Sequence, residues 1–466
     1  MASEKSNTNV SYEAPWERAF DKVRTPFEDF IHNQTSSGIV LMVATIVALV
    51  LANSSYADSY HHFIETTISI GFGDFVLEKS LHHWINDGLM ALFFFLVGLE
   101  IKSEILVGEL SSMRNAMLPI LAAVGGMAIP ALLYVMLVPE GEGAAGWAIP
   151  MATDIAFAVG VLVLLGKRVP ASLMMFLVAL AIVDDLGAVI VIALFYTDTI
   201  SIPALVLVGV SFAILVSFNL FGLRRPLPYF LIGGILWFAM LKSGVHATLA
   251  GVLVALTIPA MPKYNATVFA DYMSGLLDKF RSAHRDGVSI MRNFKQRSVL
   301  QTMENGIHKV ETPLQRLEHS LHIPVGFFII PVFALVNAGI PIDFTALDQI
   351  IVHPVTLAII VGLVGGKFLG VFGFVFLAVK LGWAKLPTGV ALRHVAGAAL
   401  LAGIGFTMAI FIAELAFAGQ AEALLMAKTG VLIASLLAGI VGSVWLLMCK
   451  PVELSDLVVD NNNEKS

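Results

Sequence analysis

The sequence predicts an all-α polytopic membrane protein of about twelve transmembrane helices, with an inverted repeat of spans 3–5 and 10–12, two interrupted helices and a small outside β-hairpin. Three observations carry that expectation. Of the 466 residues, 58% are hydrophobic and only 13% charged, and the mean hydropathy is +0.85; a soluble core of this size would carry more charge. Apolar runs long enough to cross a bilayer recur at about 37–53, 87–106, 117–138, 147–166, 172–196, 202–221, 227–241, 245–261, 323–340, 354–379, 394–418 and 427–448. With the N-terminus inside, 24 of the 28 Lys and Arg residues fall on the inner side, Lys79, Lys242 and Lys428 fall outside, and Lys367 lies within a span. That bias puts both termini in the cytoplasm.

Residues 1–36 are polar and form a cytoplasmic segment; no apolar core follows a basic start, so no cleavable signal peptide is expected. The membrane domain then runs over 37–262 as spans 1–8 and over 323–449 as spans 9–12, separated by a long loop at 263–322 and followed by a tail at 450–466. In the first outside loop, Thr66–Ile70, a turn through Gly71 and Asp74, and Phe75–Leu77 read as strand, turn and strand. An isolated hairpin is marginal in water, so 66–77 either packs on its own chain or pairs with a second copy to make a homodimer. His61, His62, His82 and His83 flank it as polar surface residues.

The second span ends in Glu100, Lys102, Ser103 and Glu104. These charges either solvate a helix end or, with the two glutamates one turn apart, form a vestibule that attracts cations. In the fourth span Pro150, Thr153 and Asp154 follow one another within about one turn. Proline removes a backbone donor, and the two polar side chains can satisfy groups that a break sets free, so this helix should be interrupted. The fifth span holds the adjacent pair Asp184 and Asp185 in an otherwise apolar run. An Asp at a helix centre costs about 2.5–3.5 kcal/mol, and the pair about 5–7 kcal/mol, so stability does not explain them. Lys367 is the corresponding anomaly in the tenth span, and Gly397, Gly403 and Gly405 give the eleventh either a cheap interruption or a close helix contact.

At a rise of ~1.5 Å per residue, Asp184 and Asp185 lie about 18 Å, and Lys367 about 20 Å, from the starts of their spans. Both depths are near the middle of a ~30 Å hydrocarbon core. Asp154 and the Gly403–Gly405 break reach a similar level from the opposite sides, as an inverted repeat around a midplane ion site requires. A hard cation prefers oxygen ligands, which carboxylates and freed carbonyls supply. Adjacent aspartates point ~100° apart, so one should line the ion path more directly, and the two should titrate as a coupled site. Cys449 is the one cysteine and forms no intrachain disulfide.

Five segments together, Met151-Ala-Thr-Asp-Ile-Ala-Phe157, Ala181-Ile-Val-Asp-Asp-Leu-Gly187, Gly244-Val-His-Ala-Thr-Leu-Ala-Gly251, Gly365-Gly-Lys-Phe-Leu-Gly370 and Gly403-Ile-Gly-Phe-Thr-Met408, resemble the signatures of the NhaA family of bacterial Na+/H+ antiporters. The resemblance runs from about 27 to 449. The family is itself a standard instance of inverted repeats, so that feature and the resemblance are not independent. It implies exchange of cytoplasmic Na+ or Li+ for external H+ in the bacterial inner membrane, pH-dependent and electrogenic, with Na+ at Asp184 and Asp185 and no cofactor or nucleic-acid partner. It further implies that Thr153 and Asp154 sit where two unwound helices cross, that Asp154 offsets the helix N-terminal ends and Lys367 the C-terminal ends, and that His246, Glu318, His319, Glu100 and Glu104 respond to pH. On their own residues those histidines read as ordinary interfacial groups.

Two departures from the pattern stand out. Ser103 occupies a position that is commonly arginine, and a polar stretch between Pro262 and Thr312 replaces a short connection. That stretch carries Lys279, Arg281, Arg285, Arg292, Lys295 and Arg297, which suits the anionic cytoplasmic face, and Thr312-Pro313 starts an amphipathic helix with Leu314, Leu317 and Leu321 on one side. The alternatives are a proton-coupled carrier of an organic solute and, more remotely, an intramembrane aspartyl protease, which would need its two aspartates on separate helices.

Overall fold

The computed structural model describes residues 34–72, 75–197, 200–261, 266–284, 290–341 and 347–449. Helix α1 (Gln34–Ala52) ends at Asn53, whose amide donates to the carbonyls of Leu49 and Ile340, both at 2.8 Å. The chain then turns through 113° into α2 (Ala57–Glu65). Strands β1 (Thr67–Phe72) and β2 (Phe75–Ser80) form the expected hairpin, longer than the sequence suggests, with Thr67 opposite Ser80 and Phe72 opposite Phe75. The tip residues Gly73 and Asp74 lie outside the described residues. Trp84 ties the hairpin to the next helix by donating from Nε1 to the Ile68 carbonyl at 3.1 Å.

A π-helical turn, Trp84–Leu89, leads into α3 (Met90–Leu106), followed by α4 (Met113–Leu137), a 3-10 segment Glu142–Met151 with α5 (Ile155–Leu164), and α6 (Ala171–Phe195). Next come α7 (Ile202–Leu220), α8 (Pro226–Ser243) and α9 (Leu249–Thr257). Then follow α10 (Ala266–Ser282), α11 (Phe294–Val310), α12 (Pro313–Asn337) and α13 (Leu347–Val352). The chain closes with α14 (Pro354–Lys380), α15 (Leu392–Leu401), α16 (Phe406–Ala416) and α17 (Ala421–Met448). Proline stands in the first turn of α7, α8, α12 and α14, where its missing N–H costs nothing.

Among the described residues seven helices are long and apolar enough to cross a membrane, and up to ten if each of three bent pairs is one span. The chain is thus a polytopic membrane protein. Two of the twelve expected spans fall outside these ten. The helix over 87–106 carries Glu100, Lys102 and Glu104 in its last turns, and within 245–261 only the nine residues of α9 are α-helical. Lys102 joins these two elements, donating to the Leu256 and Ile258 carbonyls that α9 leaves unpaired at 2.7 and 2.5 Å.

The polar stretch before Thr312 is not a plain loop. It contains two antiparallel helices, α10 and α11, and its ends meet where the Leu314 N–H donates to the Pro259 carbonyl at 3.2 Å. Thr312 caps α12 by accepting from the Gln315 N–H at 3.1 Å, with Leu314 and Leu317 buried as the pattern requires. This helix does not stop before the ninth span but continues through a π turn at Val325–Ile329 to Asn337.

The helices that carry the site pack closely. At the contact of α4 with α14, a Cβ built on Gly370 would lie 2.1 Å from the Gly125 carbonyl oxygen. Only glycine permits that backbone approach, which holds the Lys367 helix against α4.

Candidate functional site

Two helices break opposite each other. The segment ending in Pro150 and Met151 meets α5 at 43°, and α15 meets α16 at 46°, as the proline and glycine signals anticipate. Inside the first break Asp154 is the N-cap of α5, accepting from the Phe157 N–H at 3.0 Å. The second break passes so close to α14 that a Cβ on Gly403 would lie 2.4 Å from the Leu363 carbonyl oxygen.

The breaks satisfy each other's backbone. The Asp154 N–H donates to the Ile404 carbonyl at 2.7 Å. In return the Thr407 N–H donates to Asp154 Oδ2 at 3.0 Å, and the Thr407 hydroxyl donates to the same oxygen. The start of α16 is completed by the Phe406 N–H, which donates to Ser435 Oγ at 3.1 Å. Asp154 therefore faces the N-terminal ends of α5 and α16, where a negative charge is favoured.

Against this crossing α6 presents Asp184 and Asp185, each 1% exposed, and α14 presents Lys367, which is fully buried. Lys367 follows directly on a π turn, Val361–Gly366, that sets its rotation on the helix. Its ammonium pairs with Asp184 Oδ2 and donates to Thr153 Oγ1 at 2.9 Å. The Thr153 hydroxyl has one proton and two acceptors, Asp184 Oδ2 at 2.8 Å and the Ala402 carbonyl at 2.9 Å. The remaining oxygens, Asp184 Oδ1 and Asp185 Oδ1, are buried with no hydrogen-bond partner. Buried carboxylate oxygens without donors on adjacent residues are costly as they stand and suit a hard cation or a proton.

The two aspartates differ as their positions on the helix require. Asp184 faces Lys367 and Thr153, whereas Asp185 lines a cavity of about 530 Å³ together with Asp154 and Thr407. Glu100, Glu104, Glu318 and His319 line the same cavity where α3 ends and α12 begins. Glu104 also accepts from the Glu109 N–H at 2.9 Å, and Ser103 lines the cavity beside Glu100 and Glu104. His246 is not part of this arrangement: its Nε2 meets the Tyr196 carbonyl after α6 ends.

Some polar groups are placed otherwise than the sequence suggests. His82 is no plain surface residue. Its Nε2 lies 3.1 Å from Asn337 Oδ1 and 3.5 Å from Glu414, which also pairs with Lys428 at 2.5 Å. Thr407 and Ser435 hold the crossing together but were not among the expected site residues. Thr407 has a legible signal, a hydroxyl two residues after Gly405 and so just past the break, as Thr153 is just past Pro150; Ser435 has none.

The family described as Na+/H+ antiporter 1 matches residues 28–446. The chain is 53% identical to Na(+)/H(+) antiporter NhaA 1 of Saccharophagus degradans, over 92% of this chain and 93% of that one. It is 54% identical to Na(+)/H(+) antiporter NhaA of Sulfurimonas denitrificans, over 93% and 97%. With the NhaA of Oleidesulfovibrio alaskensis it shares 50% identity over 91% and 93%. With a match this extensive and oxygens orphaned beside a buried lysine, the chain belongs to the Na+/H+ antiporter 1 family.

Proposed function

We propose that this protein is a secondary transporter, not an enzyme, that exchanges Na+ or Li+ for H+ with Asp184 and Asp185 as the shared site. The observation that carries the reading is the buried Lys367–Asp184 pair beside Asp185, which lines the cavity and has an oxygen without a hydrogen-bond partner. A cation entering that cavity meets Asp185 first and the free oxygen of Asp184 next. To gain the second Asp184 oxygen it must displace the Lys367 ammonium, so lysine and cation compete for one carboxylate. When the cation leaves, protons restore the neutral balance on the same oxygens. If more than one proton returns per cation, exchange moves net charge and responds to membrane potential.

Asp154 in this reading stays ionised against the ends of α5 and α16, and Thr153 passes its single proton between Asp184 and the Ala402 carbonyl. Glu100, Glu104, Glu318 and His319 respond to pH from the cavity wall, and His246 does so from its place beside the Tyr196 carbonyl. The same reading includes both termini in the cytoplasm of a bacterial inner membrane, twelve spans, and an inverted repeat in which each triplet has its broken helix in the middle. It divides the chain as 1–36, 37–262, 263–322, 323–449 and 450–466, and gives the hairpin at 66–77 to a homodimer. The relatives' names speak against the organic-solute and protease alternatives. Purified protein in vesicles loaded with a pH dye tests the exchange: Na+ or Li+ should evoke proton flux and organic solutes none. A flux that organic solutes evoke as well would overturn the reading.

A further inference from the structure

A second cavity, of about 610 Å³, lies where α4 and α6 begin and α14 ends. Arg114 and Lys385 line it and are exposed to solvent. Beside them is Trp383, 62% exposed, while Leu118, Phe176 and Ala179 form a buried apolar floor. The lining is ordered by depth. Arg114 stands in the first turn of α4 and Lys385 in the loop after α14, whereas Ala179 is about 12 Å further along α6. A ligand that fits is anionic at one end and apolar at the other.

We propose that this cavity seats an anionic phospholipid, with its phosphodiester between Arg114 and Lys385 and the start of its acyl chains against Leu118 and Phe176. Arginine presents a planar fork that matches phosphate oxygens. Tryptophan at a helix end suits the headgroup level, and basic pockets between spans on the cytoplasmic side take anionic lipid heads. Neither Ser112 nor Pro170 caps the following helix with its side chain, so the positive ends of α4 and α6 add to the potential there. Glu109 also lines the cavity, where its carboxylate accepts from the Asn115 amide at 3.4 Å, so one negative charge stands against the two positive ones of Arg114 and Lys385. A free phosphate would leave the apolar floor unused. Met175, 51% exposed, also lines the cavity and adds to its apolar wall.

The site has a structural consequence for transport. α6 carries both aspartates and α14 carries Lys367, and the Ser172 hydroxyl on α6 donates to the Thr388 carbonyl in the loop after α14 at 2.7 Å. A lipid seated there braces the same two helices. Its assignment to the cytoplasmic leaflet rests on the proposed orientation; binding itself does not depend on the transport reading, and the test reads binding alone.

The full chain in detergent is melted while phosphatidylglycerol, phosphatidylcholine or inorganic phosphate is titrated. Phosphatidylglycerol should raise the melting temperature saturably and the other two should not. The double substitution Arg114→Gln with Lys385→Gln should raise the half-saturating lipid concentration about thirtyfold, since each basic residue near anionic lipid is worth about a factor of five. The charge-matched pair Lys79→Gln with Lys242→Gln, away from this cavity, should leave it unchanged. As a second readout, phosphatidylglycerol with brominated chains should quench Trp383, measured as the difference from Trp383→Phe, more than brominated phosphatidylcholine does. Equal saturation in the double variant, an equal response to phosphate or phosphatidylcholine, or quenching that ignores the headgroup each overturns the proposal. If the double variant fails to fold, the quenching decides.

Discussion

Replacing Lys367 by methionine keeps its length and removes its charge, which makes the buried pair measurable. In the structure the ammonium has two partners, Asp184 Oδ2 and Thr153 Oγ1, and neither Lys367 nor Asp184 reaches solvent. Removing one member of a buried pair strands the other charge and costs about 3–5 kcal/mol. Lys367→Met and Asp184→Asn should each destabilise by about that much. The double variant leaves no buried charge at this position, and replacing a whole pair by neutral groups is often neutral or stabilising, so it should fall within about 2 kcal/mol of the parent. The singles would sum to at least about 6 kcal/mol, giving a coupling of about 4 kcal/mol or more. Equilibrium unfolding of the purified protein in mixed micelles measures all four corners of the cycle. A double variant as unstable as the sum of the singles would refute the pair as the structure draws it.

Asp184→Asn and Asp185→Asn should each abolish Na+-driven proton flux while the protein still inserts; full flux in either removes that residue from the site. Protons and Na+ share the same oxygens, so initial rates over a grid of pH and Na+ should show apparent Na+ affinity improving as pH rises, with saturating Na+ partly rescuing acid pH. An affinity that stays constant while only the maximal rate changes would require a separate sensor. Thr407→Val removes a hydroxyl that donates to the buried Asp154 carboxylate and should cost about 1.5–3 kcal/mol, whereas Thr407→Ser should cost far less; thermal unfolding separates the two. Replacing 266–310 by a short polar linker should leave exchange largely intact, because the Leu314–Pro259 hydrogen bond already joins the ends of that excursion. Loss of all flux in an inserted deletion variant would make the excursion part of the mechanism.

What the sequence discloses of the site it discloses through cost. Asp154, Asp184, Asp185 and Lys367 stand out because each is expensive in an apolar run, and the structure brings all four to one crossing. Pro150 and the glycines at 403 and 405 mark the two breaks for the same reason, since each removes what a regular helix requires. Partnership leaves no such mark. Nothing in the run 421–448 announces that Ser435 completes α16, or that a π turn aims Lys367. Glu414 and Lys428 look like solvated helix ends until they are seen sharing a carboxylate with His82. Two of the spans are less regular than their apolar runs suggest: α3 carries three charged residues in its last turns, and α9 is short, with Lys102 donating to the carbonyls at its end. The polar stretch before Thr312 hides two helices because their apolar stripes are narrow and serve chiefly to pair them with each other.

The two breaks are complementary defects, and neither can be healed alone. If a substitution at Pro150 let the first helix run straight, the Asp154 N–H and Thr153 hydroxyl would turn toward their own helix. The carbonyls of Ile404 and Ala402, which now accept from them, would lose those donors at a depth where an unsatisfied carbonyl is costly. Straightening the second helix would strand Asp154 in the same way, by withdrawing Thr407. Like a pair of dislocations in a crystal, the defects persist because each terminates on the other, and they can be removed only together. A chain drifting by single substitutions has no short route back to two regular helices, so the geometry that exposes oxygen atoms to an ion also protects itself against repair.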